Sequence, residues 1–125
     1  MRIDSDVLVW LTRDNLKAAD RLQTVDRWRI SVVTYMELAQ GCRDKAELAR
    51  LKKSLAARQT EIMPITPAIS QRAAALIDEF ALSHGLRLAD ALIGATAAKH
   101  GATLLSANGK HFSVIEGLKI EVFSP

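Results

Sequence analysis

"HGLRLADALIGATAAKHGATLLSANGKHF" (residues 84–112) runs a helix, a stop and a strand in direct succession. Apolar residues recur at helical spacing from Leu88 to His100, Gly101 stands where that period ends, and "ATLLS" (102–106) reads as a short buried strand before the turn signal Asn108-Gly109. The same alternation appears on either side. Strands are expected at 1–5, 29–33 ("RISVV"), 61–65 ("EIMPI", short or at an edge), 102–106 and 119–123 ("KIEVF"). Helical patterns fill 6–12, 15–26, 34–42, 45–58, 67–84 and 88–100. Short strands alternating with longer helices specify an α/β domain. Gly41, Gly85 and Gly101 punctuate three of the helices, which leaves His84 and His100 in last turns where the macrodipole favours a cation.

With 125 residues the chain is expected to form a single domain over 1–125, burying roughly two-thirds of its unfolded surface without a disulfide or metal staple. Aromatic residues make up only 5%, so Ala, Leu, Ile and Val must build the core. The single cysteine, Cys42, has no internal partner, and neither a signal sequence nor an apolar run of about 18 residues appears. A soluble, cytoplasmic protein without membrane association is expected. Net charge is +3, compatible with an anionic partner and too mild to demonstrate one. The stretch 42–59 carries Arg43, Lys45, Arg50, Lys52, Lys53 and Arg58 around helically spaced leucines, which reads as a solvated amphipathic face before it reads as a phosphate-attracting one.

In an open parallel sheet the C-terminal strand ends share one rim, the usual place for a ligand. Asp4-Ser5-Asp6 follow the first strand, Thr34 and Glu37 the second, Asn108 follows "TLLS", and Asp90 lies in the first turn of the helix before it. Each has a structural use. Thr34-x-x-Glu37 matches a capping box, Ser5 or Asp6 can cap a helix, Asp90 suits a helix dipole, and Asn108-Gly109 suits a turn. Their convergence is what needs explaining. Two like charges about 4 Å apart repel by roughly 4 kcal/mol at an effective dielectric near 20, so gathered acids require protonation or a cation. Oxygen ligands suit Mg²⁺ or Mn²⁺. The sequence has no zinc-type Cys/His set, no glycine-rich phosphate loop and no visible Ser/His/Asp arrangement, which leaves metal-assisted phosphoryl chemistry.

Taken in order, "RIDSDVLVWL" (2–11), "ISVVTYMELAQG" (30–41), residues 84–112 and "IEGLKIEVF" (115–123) resemble a PIN domain, specifically the VapC-type ribonuclease toxin of a toxin–antitoxin pair. The resemblance implies a three-layer α/β/α fold with a central, mainly parallel sheet of four to five strands, and a Mg²⁺- or Mn²⁺-dependent endoribonuclease. It places the family's acids on Asp4, Glu37 and Asp90, with Asn108 at the fourth position. Asp4, Asp90 and Glu37 would hold the metal, Asn108 would support them, and Ser5, Asp6 and Thr34 would lie behind them. Arg87 and Lys110 would meet RNA phosphates. Two departures stand out: Asp6 replaces a common Asn, and His111 occupies a position that often carries an acid. A VapB-like antitoxin, an RNA substrate, a toxin homodimer and a toxin–antitoxin hetero-oligomer are the implied partners.

Two other readings remain open at this level. Asp4-x-Asp6 after an apolar strand also resembles the nucleophile loop of haloacid-dehalogenase-type phosphatases, although no adjacent acidic pair follows a late strand. A non-catalytic RNA- or protein-binding module on the same fold is the other.

Overall fold

A computed structural model describes residues 1–125. Its elements run β1 (Arg2–Ile3), α1 (Ser5–Thr12), α2 (Leu16–Gln23), β2 (Arg29–Ser31), α3 (Val32–Gln40), α4 (Lys45–Ala57), β3 (Glu61–Met63), α5 (Pro67–His84), α6 (Leu88–Lys99), β4 (Thr103–Ser106), α7 (Gly109–Phe112) and β5 (Lys119–Val122). All strand pairings are parallel, as the alternation of elements requires. The five strands form two hydrogen-bonded groups, β1-β4-β5 and β2-β3, with β1 packed beside β2. β1 is only two residues long because Asp4 already caps α1, although the Asp4 amide still donates to the Leu105 carbonyl at 2.9 Å. β3 lies at an edge, as its proline-containing sequence suggested.

Adjacent residues of β4 serve opposite faces of the sheet. Leu104 joins Ile69, Ala73, Leu76, Ile93 and Phe112 beneath α5 and α6, whereas Leu105 joins Ile3, Val7, Leu22, Trp28 and Ile30 beneath α1 and α2. That period of two makes three layers around the central strands. α6 is buried on most sides, from Ala91 and Ile93 through Ala97. Its Gly94 lets α7 and the following loop approach, since a Cβ there would run into Ile115 Cδ1 and touch Phe112. No helix is long and apolar enough to cross a membrane.

Several local expectations change. Strand and helix meet without a gap at 31–32, so Ser31, not Thr34, caps α3; its hydroxyl accepts from the Val33 amide at 3.1 Å. Thr34 sits inside the first turn, fully buried, and the Thr34–Glu37 capping box does not form. Asp4 caps α1 in place of Ser5 or Asp6. Gly85 ends α5 in the left-handed conformation (φ 66°), whereas Gly41 ends α3 in the right-handed one (φ −78°). Asn108-Gly109 begins the single helical turn α7. α4 buries only Leu55, as a solvated helix does.

Candidate metal centre at the acidic rim

The C-terminal ends of β1, β2 and β4 deliver the acids to one place. Asp4 is 5% exposed, and each of its carboxylate oxygens has a donor: the Ser5 amide reaches Oδ1 at 2.8 Å and the Ser106 hydroxyl reaches Oδ2 at 2.9 Å. Ser5 Oγ in turn donates to Glu37 Oε1 at 2.9 Å, which ties α3 to the start of α1. Asp6, in the first turn of α1, accepts at Oδ2 from Asn108 Nδ2 (2.8 Å), the Ala107 amide (3.1 Å) and Ser106 Oγ (3.4 Å). Its Oδ1 is enclosed with no donor at all.

Asp90 stands in the first turn of α6, with His111 Nδ1 3.6 Å from its Oδ2. Burial raises its pKa; His111 opposes the shift, Glu37 adds to it, Arg87 opposes it and Asp6 adds again. Asp4 is pushed up to about 7, first by burial and then by the Asp6 charge. The Ser106 and Ser5 hydrogen bonds pull the other way, and Asp90 adds a further push. These carboxylates therefore feel one another across elements far apart in sequence. No three His, Cys, Asp or Glu side chains close into a cage able to surround an ion by themselves.

Most of the residues singled out in the sequence meet here. Asp4, Ser5, Asp6, Glu37 and Asn108 share one hydrogen-bonded network, and Asp90 joins it electrostatically. Arg87 is the exposed residue capping α6, and Lys110 is exposed on α7, lining a concavity with Asn108 and His111. Thr34 is the exception: its hydroxyl is buried without a hydrogen bond and makes none to the acids. Ser106 went unrecognised although it joins Asp4, Asp6 and the Asn108 amide. The signal was available, since it is the last residue of "TLLS" and so occupies a strand end.

Comparisons with known proteins point the same way. A PIN domain family model matches residues 1–118. Ribonuclease VapC10 of Mycobacterium tuberculosis is 34% identical over 123 residues, spanning 94% of this chain and 89% of that protein. Among solved structures, a toxin–antitoxin complex from Klebsiella pneumoniae superposes with a TM-score of 0.78 at 30% identity, covering 94% of this chain and 93% of the other. VapBC2 from Rickettsia felis, bound to a DNA fragment from its promoter, gives 0.81 at 22% identity, with 98% of each chain covered. The chain belongs to the PIN-domain family, among its VapC-type members.

Proposed function

We propose that the chain is an endoribonuclease toxin that hydrolyses RNA phosphodiester bonds at the acidic rim, using Mg²⁺ or Mn²⁺ held by Asp4, Asp90 and Glu37, and that a VapB-like antitoxin silences it. The observation that carries this reading is Asp4, a carboxylate 5% exposed at a strand end and raised toward neutrality by its own burial and by Asp6 and Asp90. Such a group is completed by a proton or by a cation. The enclosed, donorless Oδ1 of Asp6 adds to the demand for positive charge. Mg²⁺ commonly takes one or two carboxylates and keeps its waters, which suits acids that share a rim without caging an ion.

When bound, a divalent ion there supplies Lewis acidity toward the scissile phosphate and the attacking water. The chain supplies the rest. Asp4, fixed by Ser5 and Ser106, holds negative charge at a set point, and Asp90 faces it from α6. Glu37 is the exposed carboxylate of the group, oriented through Ser5 Oγ, and would hold the ion directly or through a water. Asn108 gives its amide nitrogen to Asp6 and keeps its carbonyl oxygen for a ligand or a water. Arg87 and Lys110 hold RNA phosphates at the margin.

An antitoxin of this kind would place a basic side chain among the acids and an apolar segment on neighbouring helices. Leu16, Met36, Leu82 and Leu88 are exposed apolar residues that antitoxin contact, or a homodimer within the hetero-oligomer, can cover. The test is RNA cleavage by purified protein in Mg²⁺, in Mn²⁺ and in excess chelator, repeated with Asp4→Ala and Asp90→Ala. Cleavage should require metal and disappear in both folded variants. Undiminished cutting by either variant, or by the parent in chelator, would overturn the assignment; a folded parent that binds RNA without cutting it under any metal condition would favour the binding module.

A further inference from the structure

At the edge of the sheet opposite the acids, cations gather. Arg2 opens β1, Arg29 opens β2 and Glu61 opens β3, so the three begin neighbouring parallel strands. The chain leaves α6 at Lys99 and His100 close to this row, where His100 feels Arg2, Arg29 and Glu61 together. Glu61 is the carboxylate within reach, and Arg29 faces it across 3.5 Å. Arg2 has no such partner. It is 6% exposed, its Nε is enclosed without a hydrogen bond, and none of the four ion pairs of the chain includes it. Arg29 differs: its Nε makes no hydrogen bond but faces Glu61 Oε2 at 3.5 Å, so it already has a counter-charge.

Arg2 is enclosed at its Nε and has Glu61 only as a partial counter-charge, an unfavourable arrangement that the neighbouring Arg29 guanidinium worsens. Burial and Arg29 both depress the Arg2 pKa, while Glu61 only partly offsets them. An anion that reached both guanidinium groups would offset this cost. Two guanidinium forks fit a tetrahedral oxyanion better than they fit halide, because each presents paired donors in a plane. A concavity of about 400 Å³ opens beside Arg29 on the α2 side, lined also by Arg21, Thr24, Asp26 and Arg27, and Arg2 is not among its walls. Arg21 is already engaged by Glu121 at 2.6 Å, and Asp26 is the one acid on that wall.

We propose that Arg2 and Arg29 form an oxyanion site for a phosphate group at the sheet edge opposite the acidic rim, with His100 and Lys99 at its margin. Orthophosphate and a nucleic-acid phosphodiester present the same chemistry. The test uses the whole chain in chelator, melted in sodium phosphate and in sodium chloride of equal ionic strength. With phosphate at about ten times its dissociation constant, the melting temperature should rise by about 4–8 °C. Arg29→Gln and Arg2→Met should each lose most of that rise, and Arg2→Met should melt no lower than the parent in chloride. Asp90→Asn should keep the rise, which separates failure of this site from failure of the nuclease assignment. A fluorescent single-stranded oligonucleotide lacking terminal phosphates identifies the source. Binding weakened tenfold or more by Arg2→Met and displaced by orthophosphate assigns a phosphodiester; binding indifferent to Arg2→Met assigns the free ion. No phosphate-specific rise in the parent, or an equal rise in Arg2→Met and Arg29→Gln, overturns the proposal.

Discussion

Asp4 does three things with one side chain and one amide: it ends a strand, caps a helix and charges the rim. Its pKa near 7 in the folded chain, against about 3.9 unfolded, has a definite sign for stability. Between about pH 4 and pH 7 the folded state keeps a proton that the unfolded state has released, so stability falls as pH rises through that window and levels off above it. At 1.36 kcal/mol per unit, the ceiling on this loss is about 4 kcal/mol. Thermal melts in chelator should show the decline, Asp4→Asn should remove most of it, and Mg²⁺ should oppose it at pH 8. Ser106→Ala withdraws the hydroxyl that serves Asp4 Oδ2 and Asp6 Oδ2 and accepts from the Asn108 amide. A stability loss of about 1–3 kcal/mol is expected, with Mg²⁺ affinity down about 10–100-fold; calorimetric Mg²⁺ titration beside chemical denaturation reads both.

At the scale of elements, the rim depends on how α6 and α7 meet. Gly94→Ala puts a methyl group against Ile115 and Phe112, and about 1–3 kcal/mol of destabilisation is expected in urea unfolding. Smaller cleavage losses than those of Asp90→Ala would show that packing, not chemistry, was disturbed. Strand ends made the acids legible in the sequence, because a parallel sheet brings polar residues after apolar runs to a common edge. The Thr34 capping box suggested by the sequence does not form because strand and helix join there without a linker, which places the cap at Ser31, a residue that is also the last of β2. His111 departs from a family pattern in the sequence; its 3.6 Å approach to Asp90 depends on the turn α7, too short to leave a helical period in the sequence. The Arg2–Arg29 pairing was equally invisible, since it requires knowing that β1 and β2 begin side by side.

Across the whole molecule, the sheet divides two apolar cores that nevertheless share a strand. Leu104→Ala and Leu105→Ala should each cost about 2–5 kcal/mol, although the two side chains lie on opposite faces and fill different cavities. Denaturant titration of the single and double variants measures how far the layers are independent. The long reach of the rim contacts has one more consequence. Asp4 is bonded to Ser106, and Asp6 to Asn108, each pair separated by 102 residues of chain. A nascent polypeptide that has emerged only through α5 already carries Asp4, Asp6 and Glu37, yet lacks the hydroxyl, the amide and the last acid that assemble them. Competence to cut RNA thus arrives late in synthesis, and a ribosome making this toxin does not meet a working nuclease until the final third of the chain is available to fold.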